Sequence, residues 1–166
     1  MLERPIVGVF GGGAAPEEVR SQARQLGAAI AERGWIVLNG GRSAGVMQAS
    51  AEGASQAGGL VVGVLASSGR TDPRADVAQA VDVPVFTGMG EARNNVNVLT
   101  SDVAVALPGG AGTVSEAALA VKNRTPLVVV GGEWPASVRE HADRADSVAE
   151  TIELVEERLR ENTASG

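Results

Sequence analysis

The chain has no cysteine and no tyrosine, and only one histidine, His141, in 166 residues. Without cysteine there is neither a disulfide framework nor a thiolate metal site, and one histidine makes no zinc cluster. A carboxylate-held magnesium is the remaining metal option, and no metal site is expected. Lysine is equally scarce: thirteen arginines accompany the single Lys122. A pyridoxal enzyme needs a Schiff-base lysine, and Lys122 falls in a predicted helix with no matching phosphate-pocket pattern. Acidic residues outnumber basic ones by 20 to 14, and the basic ones form no run, which argues against nucleic-acid binding. No apolar run reaches the roughly 20 residues of a membrane span, and Met1-Leu2-Glu3-Arg4-Pro5 leads into a strand with no signal-peptide pattern. A cytoplasmic protein without a membrane partner is the expectation.

What the chain does have is glycine, 22 residues of it, and an alternation of short β-branched runs with longer helical segments. That alternation predicts a Rossmann-like α/β fold: a doubly wound parallel sheet of six or seven strands with helices on both faces. Residues 1–166 read as a single domain, with 162–166 fraying at the end. Strands are expected at Ile6–Phe10, Trp35–Leu38, Leu60–Leu65, Val83–Phe86, Val103–Leu107 and Leu127–Val130, with a seventh possible between Gly131 and Asp146. Pro16 is placed in the first turn of the first helix, and Ala66–Ala80 reads as an irregular crossover. A terminal amphipathic helix covers about Ser147 to Glu161.

Three glycine-rich turns then fall at the carboxyl ends of strands one, two and five: Gly11-Gly12-Gly13, Gly40-Gly41, and Pro108-Gly109-Gly110-Ala111-Gly112-Thr113. In open α/β sheets ligands bind at that edge. A helix start leaves backbone N–H groups unpaired and carries about half a positive charge, so an anion is stabilised there without a basic side chain. Glycine lets the anion approach the backbone. The Gly11–Gly13 turn has an equally good reading as mere packing. The dinucleotide pattern G-x-G-x-x-G is absent after the first strand, and the second strand ends in Asn39 rather than an acid, which counts against ordinary NAD binding.

Before the last turn, Arg93, Asn94, Asn95 and Asn97 place poor helix formers in a predicted helix over Glu91–Thr100, a local inconsistency of the kind that marks a site. Arg93 and Asn97 share a face, Val96 and Leu99 can turn to the core, and the arginine offers a planar fork for phosphate. The alternative is a solvated Arg93. Glu116 is also open to two readings. Thr113-Val114-Ser115-Glu116 has the form of a capping box, with Thr113 as N-cap, and the same carboxylate could instead contact a ligand. His141 reads as a solvated loop residue, and Trp35 and Trp134 as packing.

Two blocks carry a resemblance. Asn39-Gly40-Gly41-Arg42-Ser43-Ala44-Gly45-Val46-Met47 resembles the GGG-x-x-G-[LV]-M block of the LONELY GUY (LOG) superfamily, which includes proteins once labelled possible lysine decarboxylases. Pro108-Gly109-Gly110-Ala111-Gly112-Thr113-Val114-Ser115-Glu116 resembles its PGG-x-GT-x-x-E block, and Arg93 stands fifteen positions before Pro108, as the arginine of the MxxRK motif does. The cytokinin-activating branch hydrolyses nucleoside 5′-monophosphates, and there Arg93 and Glu116 would be the catalytic pair. The chain departs from that branch at Gly90, Asn94 and Ala111. Arg93-Asn94 and the stretch after Glu116 look more like the molybdenum-cofactor carrier-like branch, whose characterised members bind a phosphorylated pterin.

The resemblance therefore implies binding of a phosphorylated, nucleotide-like ligand, either the molybdenum cofactor or a nucleotide monophosphate, with no further cofactor required. A nucleoside 5′-monophosphate phosphoribohydrolase is the alternative, and a sensor of nucleotide-derived signals a third. The implied ligand-binding set is Gly11, Gly12, Gly13, Gly40, Gly41, Arg93, Asn94, Asn97, Pro108, Gly109, Gly110, Ala111, Gly112, Thr113 and Glu116. Family members are commonly homo-oligomers, dimers or higher, and the decarboxylase label fails on the shortage of lysine.

Overall fold

In the computed structural model, residues 4–164 are described. Seven strands form one all-parallel sheet in the order β4-β3-β2-β1-β5-β6-β7. They are β1 (Ile6–Phe10), β2 (Ile36–Asn39), β3 (Val61–Leu65), β4 (Val83–Phe86), β5 (Val103–Ala106), β6 (Leu127–Val130) and β7 (Asp143–Ala145). The helices are α1 (Glu17–Glu32), α2 (Gly45–Gln56), α3 (Arg93–Thr100), α4 (Ala111–Asn123), α5 (Ala136–Arg139) and α6 (Val148–Ala164). No helix among the described residues is long and apolar enough to cross a membrane.

Strand alternation sends neighbouring side chains to opposite faces, and both faces are apolar because both are covered. Val7, Val9, Val37, Val103, Val105, Val128 and Val130 pack on one side with α1, α2 and α6. Phe10, Leu38, Ala104, Ala106, Leu127 and Val129 pack on the other, with Val98 of α3, Ala117 and Ala120 of α4, and Val138 of α5. Helices α1 and α2 lie close enough that a Cβ at Gly27 would collide with the Ser50 carbonyl, and one at Gly53 with that of Arg24. Such backbone proximity requires glycine. The strand order reverses between β1 and β5, so the chain's own crossovers leave a crevice above their carboxyl ends.

Several sequence expectations shift. Strand β2 begins at Ile36 and includes Asn39, which pairs with Gly63, rather than running from Trp35 to Leu38. Pro16 is the N-cap of α1, not a residue of its first turn. The helix expected from Glu91 opens as a 3₁₀ turn, Gly90–Ala92, and becomes α-helical at Arg93. Helix α6 runs to Ala164, past the predicted end at Glu161, and the Asn162 side chain donates to the Asp102 carbonyl at 3.2 Å; 165 and 166 lie outside the described residues. The unassigned stretch after Gly131 contains both α5 and β7.

Candidate functional site

The three glycine turns converge, and one residue ties them together. The Gly12 N–H donates to the Pro108 carbonyl at 3.2 Å, and the Gly12 carbonyl accepts from the Val46 N–H at 3.0 Å, linking the turn after β1 to those preceding α4 and α2. Asn39 shapes the second turn. Its side-chain oxygen accepts from the Gly41 N–H at 2.8 Å, and its amide nitrogen donates to the Met47 carbonyl and to Ser50 Oγ at 2.9 and 3.0 Å. An acid in place of Asn39 would lose both donations. Gly41 has φ +72°, the left-handed conformation that this turn demands and glycine adopts freely.

Between the turns lies a cleft of about 210 Å³. Of the expected residues, Gly11, Gly12, Gly13, Gly40, Arg93, Asn94, Gly110, Gly112, Thr113 and Glu116 line it. Gly41, Asn97, Pro108, Gly109 and Ala111 do not. They stand behind the wall or beside it: Gly109 packs against Gly12 and Thr113, and Asn97 is fully buried. The cleft also recruits Arg42, Met47 and Glu91, which the candidate set lacks. Arg42 and Met47 sit in the same glycine block, so adjacency to the turn was the available signal. Glu91 gave none, because only the 3₁₀ turn brings it to the rim.

Helix α3 turns its polar face inward. Arg93, Asn94, Asn97 and Val98 are buried, whereas Leu99 is 61% exposed and Val96 only partly covered. This reverses the expectation for Leu99, while Val96 packs against the core beside Val98 as expected. The alternative of a solvated Arg93 also fails, since Arg93 is 7% exposed. Its Nη1 donates to the Val64 carbonyl at 3.1 Å, and a Cβ on Gly40 would collide with it, so glycine there makes room for the guanidinium. Arg93 Nε is buried without a partner. Asn94 Nδ2 donates to Ser115 Oγ at 3.0 Å, bracing α3 against α4.

The capping-box reading of Thr113 and Glu116 is overturned. Helix α4 starts at Ala111 with Gly110 as N-cap, which puts Thr113 inside the first turn and Glu116 a further turn along, out of reach of the helix start. Glu116 instead accepts from Asn97 Nδ2 at 2.9 Å, while Asn97 Oδ1 has no partner. Neither α4 nor α2 has a side-chain cap; at α2 the Gly12 carbonyl accepts from the Val46 N–H, whereas the first N–H groups of α4 are left to other acceptors.

Burial pushes the Glu116 carboxyl from its ordinary 4.5 up to about 7; the Asn97 hydrogen bond and the Arg93 charge oppose the rise, and Glu91 adds to it. The folded state therefore holds this proton more tightly than the unfolded chain. Its contribution to stability is complete below about pH 4.5, falls as pH rises towards 7, and stays low above that. We expect stability in urea to drop by on the order of 1 to 3 kcal/mol between about pH 5 and about pH 8 through this group. Glu116→Gln, which keeps an oxygen for Asn97, should flatten that slope. An unchanged slope in the variant would assign the pH dependence elsewhere.

Residues 4–159 match the SLOG cluster4 family. Among solved structures, the chain is similar to the molybdenum cofactor binding protein of the phototrophic bacterium Rippkaea orientalis, at 39% identity and TM-score 0.88, covering 96% of this chain and 99% of that one. It is similar to the Moco carrier protein of Chlamydomonas reinhardtii at 40% identity and TM-score 0.85, with the same coverage. The cytokinin riboside 5′-monophosphate phosphoribohydrolase of Mycobacterium tuberculosis is 35% identical over 99 residues, 60% of this chain and 52% of that enzyme, so the match spans about half the enzyme's length. Match and motifs agree along nearly the whole chain: this protein belongs to the SLOG cluster4 family, with molybdenum cofactor carrier proteins as close structural neighbours and a LOG enzyme as a distant relative.

Proposed function

We propose that this protein binds a phosphorylated, nucleotide-like small molecule in the cleft and holds it without turnover, as a molybdenum-cofactor carrier-like protein. The observation that carries this reading is the convergence of the α4 start, which has no side-chain cap, and the buried Arg93, with its unpartnered Nε, on one glycine-walled space. A phosphate monoester supplies the acceptors these donors want. A phosphorylated pterin carries such a monoester. The chain has no cysteine, so it offers a molybdenum atom no thiolate ligand.

Glu116 favours a second reading. A buried carboxyl on the cleft wall with a pKa near neutrality is suited to proton transfer, which is what glycosidic hydrolysis of a nucleoside 5′-monophosphate needs. Against it stand Gly90, Asn94 and Ala111, where the hydrolase pattern has other residues.

Native mass spectrometry of the purified protein tests the first reading, and incubation with adenosine 5′-monophosphate tests the second. The expected result is a phosphorylated ligand that co-purifies or titrates in, with no release of free base. Turnover by the wild type that Glu116→Gln abolishes without loss of binding would promote the hydrolase.

A further inference from the structure

The phosphate cleft has a neighbour. Across a rim formed by Arg42, Glu91 and Arg93 lies a second basin of about 260 Å³, whose far wall is made by Ser67 after β3 and by Arg74 and Asp76 of the irregular crossover. Its polar groups are unequally occupied. Arg42 pairs with Asp76 at 3.6 Å, Ser43 also donates to Asp76, and Arg74 pairs with Asp72 at 3.0 Å. Glu91 is exposed, and its carboxylate makes no hydrogen bond or ion pair among the described residues. In the wall, Ser67 is 6% exposed and its Oγ has no partner, a condition it shares with Arg93 Nε.

We propose that this second basin takes the heterocycle of the ligand and selects a 2-amino-4-oxo edge, the N–H and NH2 group beside a carbonyl that guanine and pterins share, over an adenine edge. The inference rests on the reading of the first cleft as the phosphate site. The Glu91 carboxylate, with no donor of its own chain to accept from, favours a neutral group rich in donors. Glu91 can accept two adjacent N–H donors side by side, while the unpartnered Ser67 hydroxyl and the arginines of the rim face the neighbouring carbonyl. Adenine sets an unprotonated ring nitrogen beside its amine, and its lone pair would oppose the carboxylate. Since Leu65 and Ala66 are the apolar part of the lining and no aromatic ring contributes, discrimination falls to the edge rather than to stacking.

The test is calorimetric titration of the full chain with guanosine 5′-monophosphate, adenosine 5′-monophosphate and inorganic phosphate, for wild type and Glu91→Gln. The guanine nucleotide should bind about tenfold more tightly than the adenine one, as a charged hydrogen bond predicts, and Glu91→Gln should bring the ratio towards one. Equal affinities in the wild type, or a preference that survives Glu91→Gln, would overturn the inference while leaving the phosphate site standing. If none of the three probes binds, the phosphate reading itself has failed and the inference falls with it.

Discussion

Arg93→Ala should weaken binding of guanosine 5′-monophosphate by about 1.5 to 3 kcal/mol, roughly 10- to 150-fold, the range for a hydrogen bond to a charged group. The loss follows from placement. Arg93 is buried at the meeting point of both basins, with Nη1 held by the Val64 carbonyl and Nε still unpartnered. A guanidinium anchored through one nitrogen on the wall of both basins is held in place for an oxyanion. The same variant orphans the Val64 carbonyl, so it should also lower unfolding stability by about 1 to 2 kcal/mol. It removes a positive charge that holds the Glu116 pKa down, so Glu116 should titrate higher still. Arg93→Lys separates the effects, because it keeps the charge and loses the planar fork; intermediate affinity is expected. Titration and urea denaturation on both variants read the two consequences independently. Unchanged affinity in a folded Arg93→Ala protein would remove Arg93 from the ligand's surroundings.

Gly110→Val should abolish measurable binding of the same probe, with a loss of at least tenfold, about 1.4 kcal/mol, while the protein remains folded. Gly110 is the N-cap of α4 and lines the cleft, and a Cβ there would meet no atom within 4 Å. Its φ of −87° is open to any L-residue, so valine adds bulk to the place where the phosphate would sit without straining the turn. Valine is a poorer N-cap than glycine, which costs the fold about 1 kcal/mol at most. Thermal unfolding measures that cost, and titration measures the block. A folded Gly110→Val protein that binds fully would place the anion away from the α4 start.

Much of the candidate cleft was legible in the sequence because its parts are local. Glycine after a strand and before a helix specifies an anion-friendly turn within a few residues, and Gly11–Gly13, Gly40 and Gly110 all reach the cleft. Arg93, Asn94 and Asn97 drew attention because helices avoid such clusters, and all three are buried. The reading failed where reach mattered. Leu99 was assigned inward by hydrophobicity, yet α3 spends its inner face on polar residues. Thr113 and Glu116 had the spacing of a capping box, but the helix begins at Ala111, earlier than the motif implied.

The sequence by itself determined the fold class and excluded some kinds of site. Alternating β-branched strands and amphipathic helices specify a parallel sheet covered on both faces, and the absence of cysteine with a single histidine rules out thiolate and histidine-cluster metal sites. Only the tertiary structure decided which groups meet. That Gly12 links two distant turns, that Glu116 lies beside Asn97 with its proton held to about pH 7, and that Glu91 forms the rim between two basins depend on crossovers joining residues far apart in the chain. Local pattern sets the conformation of a segment, whereas burial and charge at a site depend on which segments the sheet order brings together.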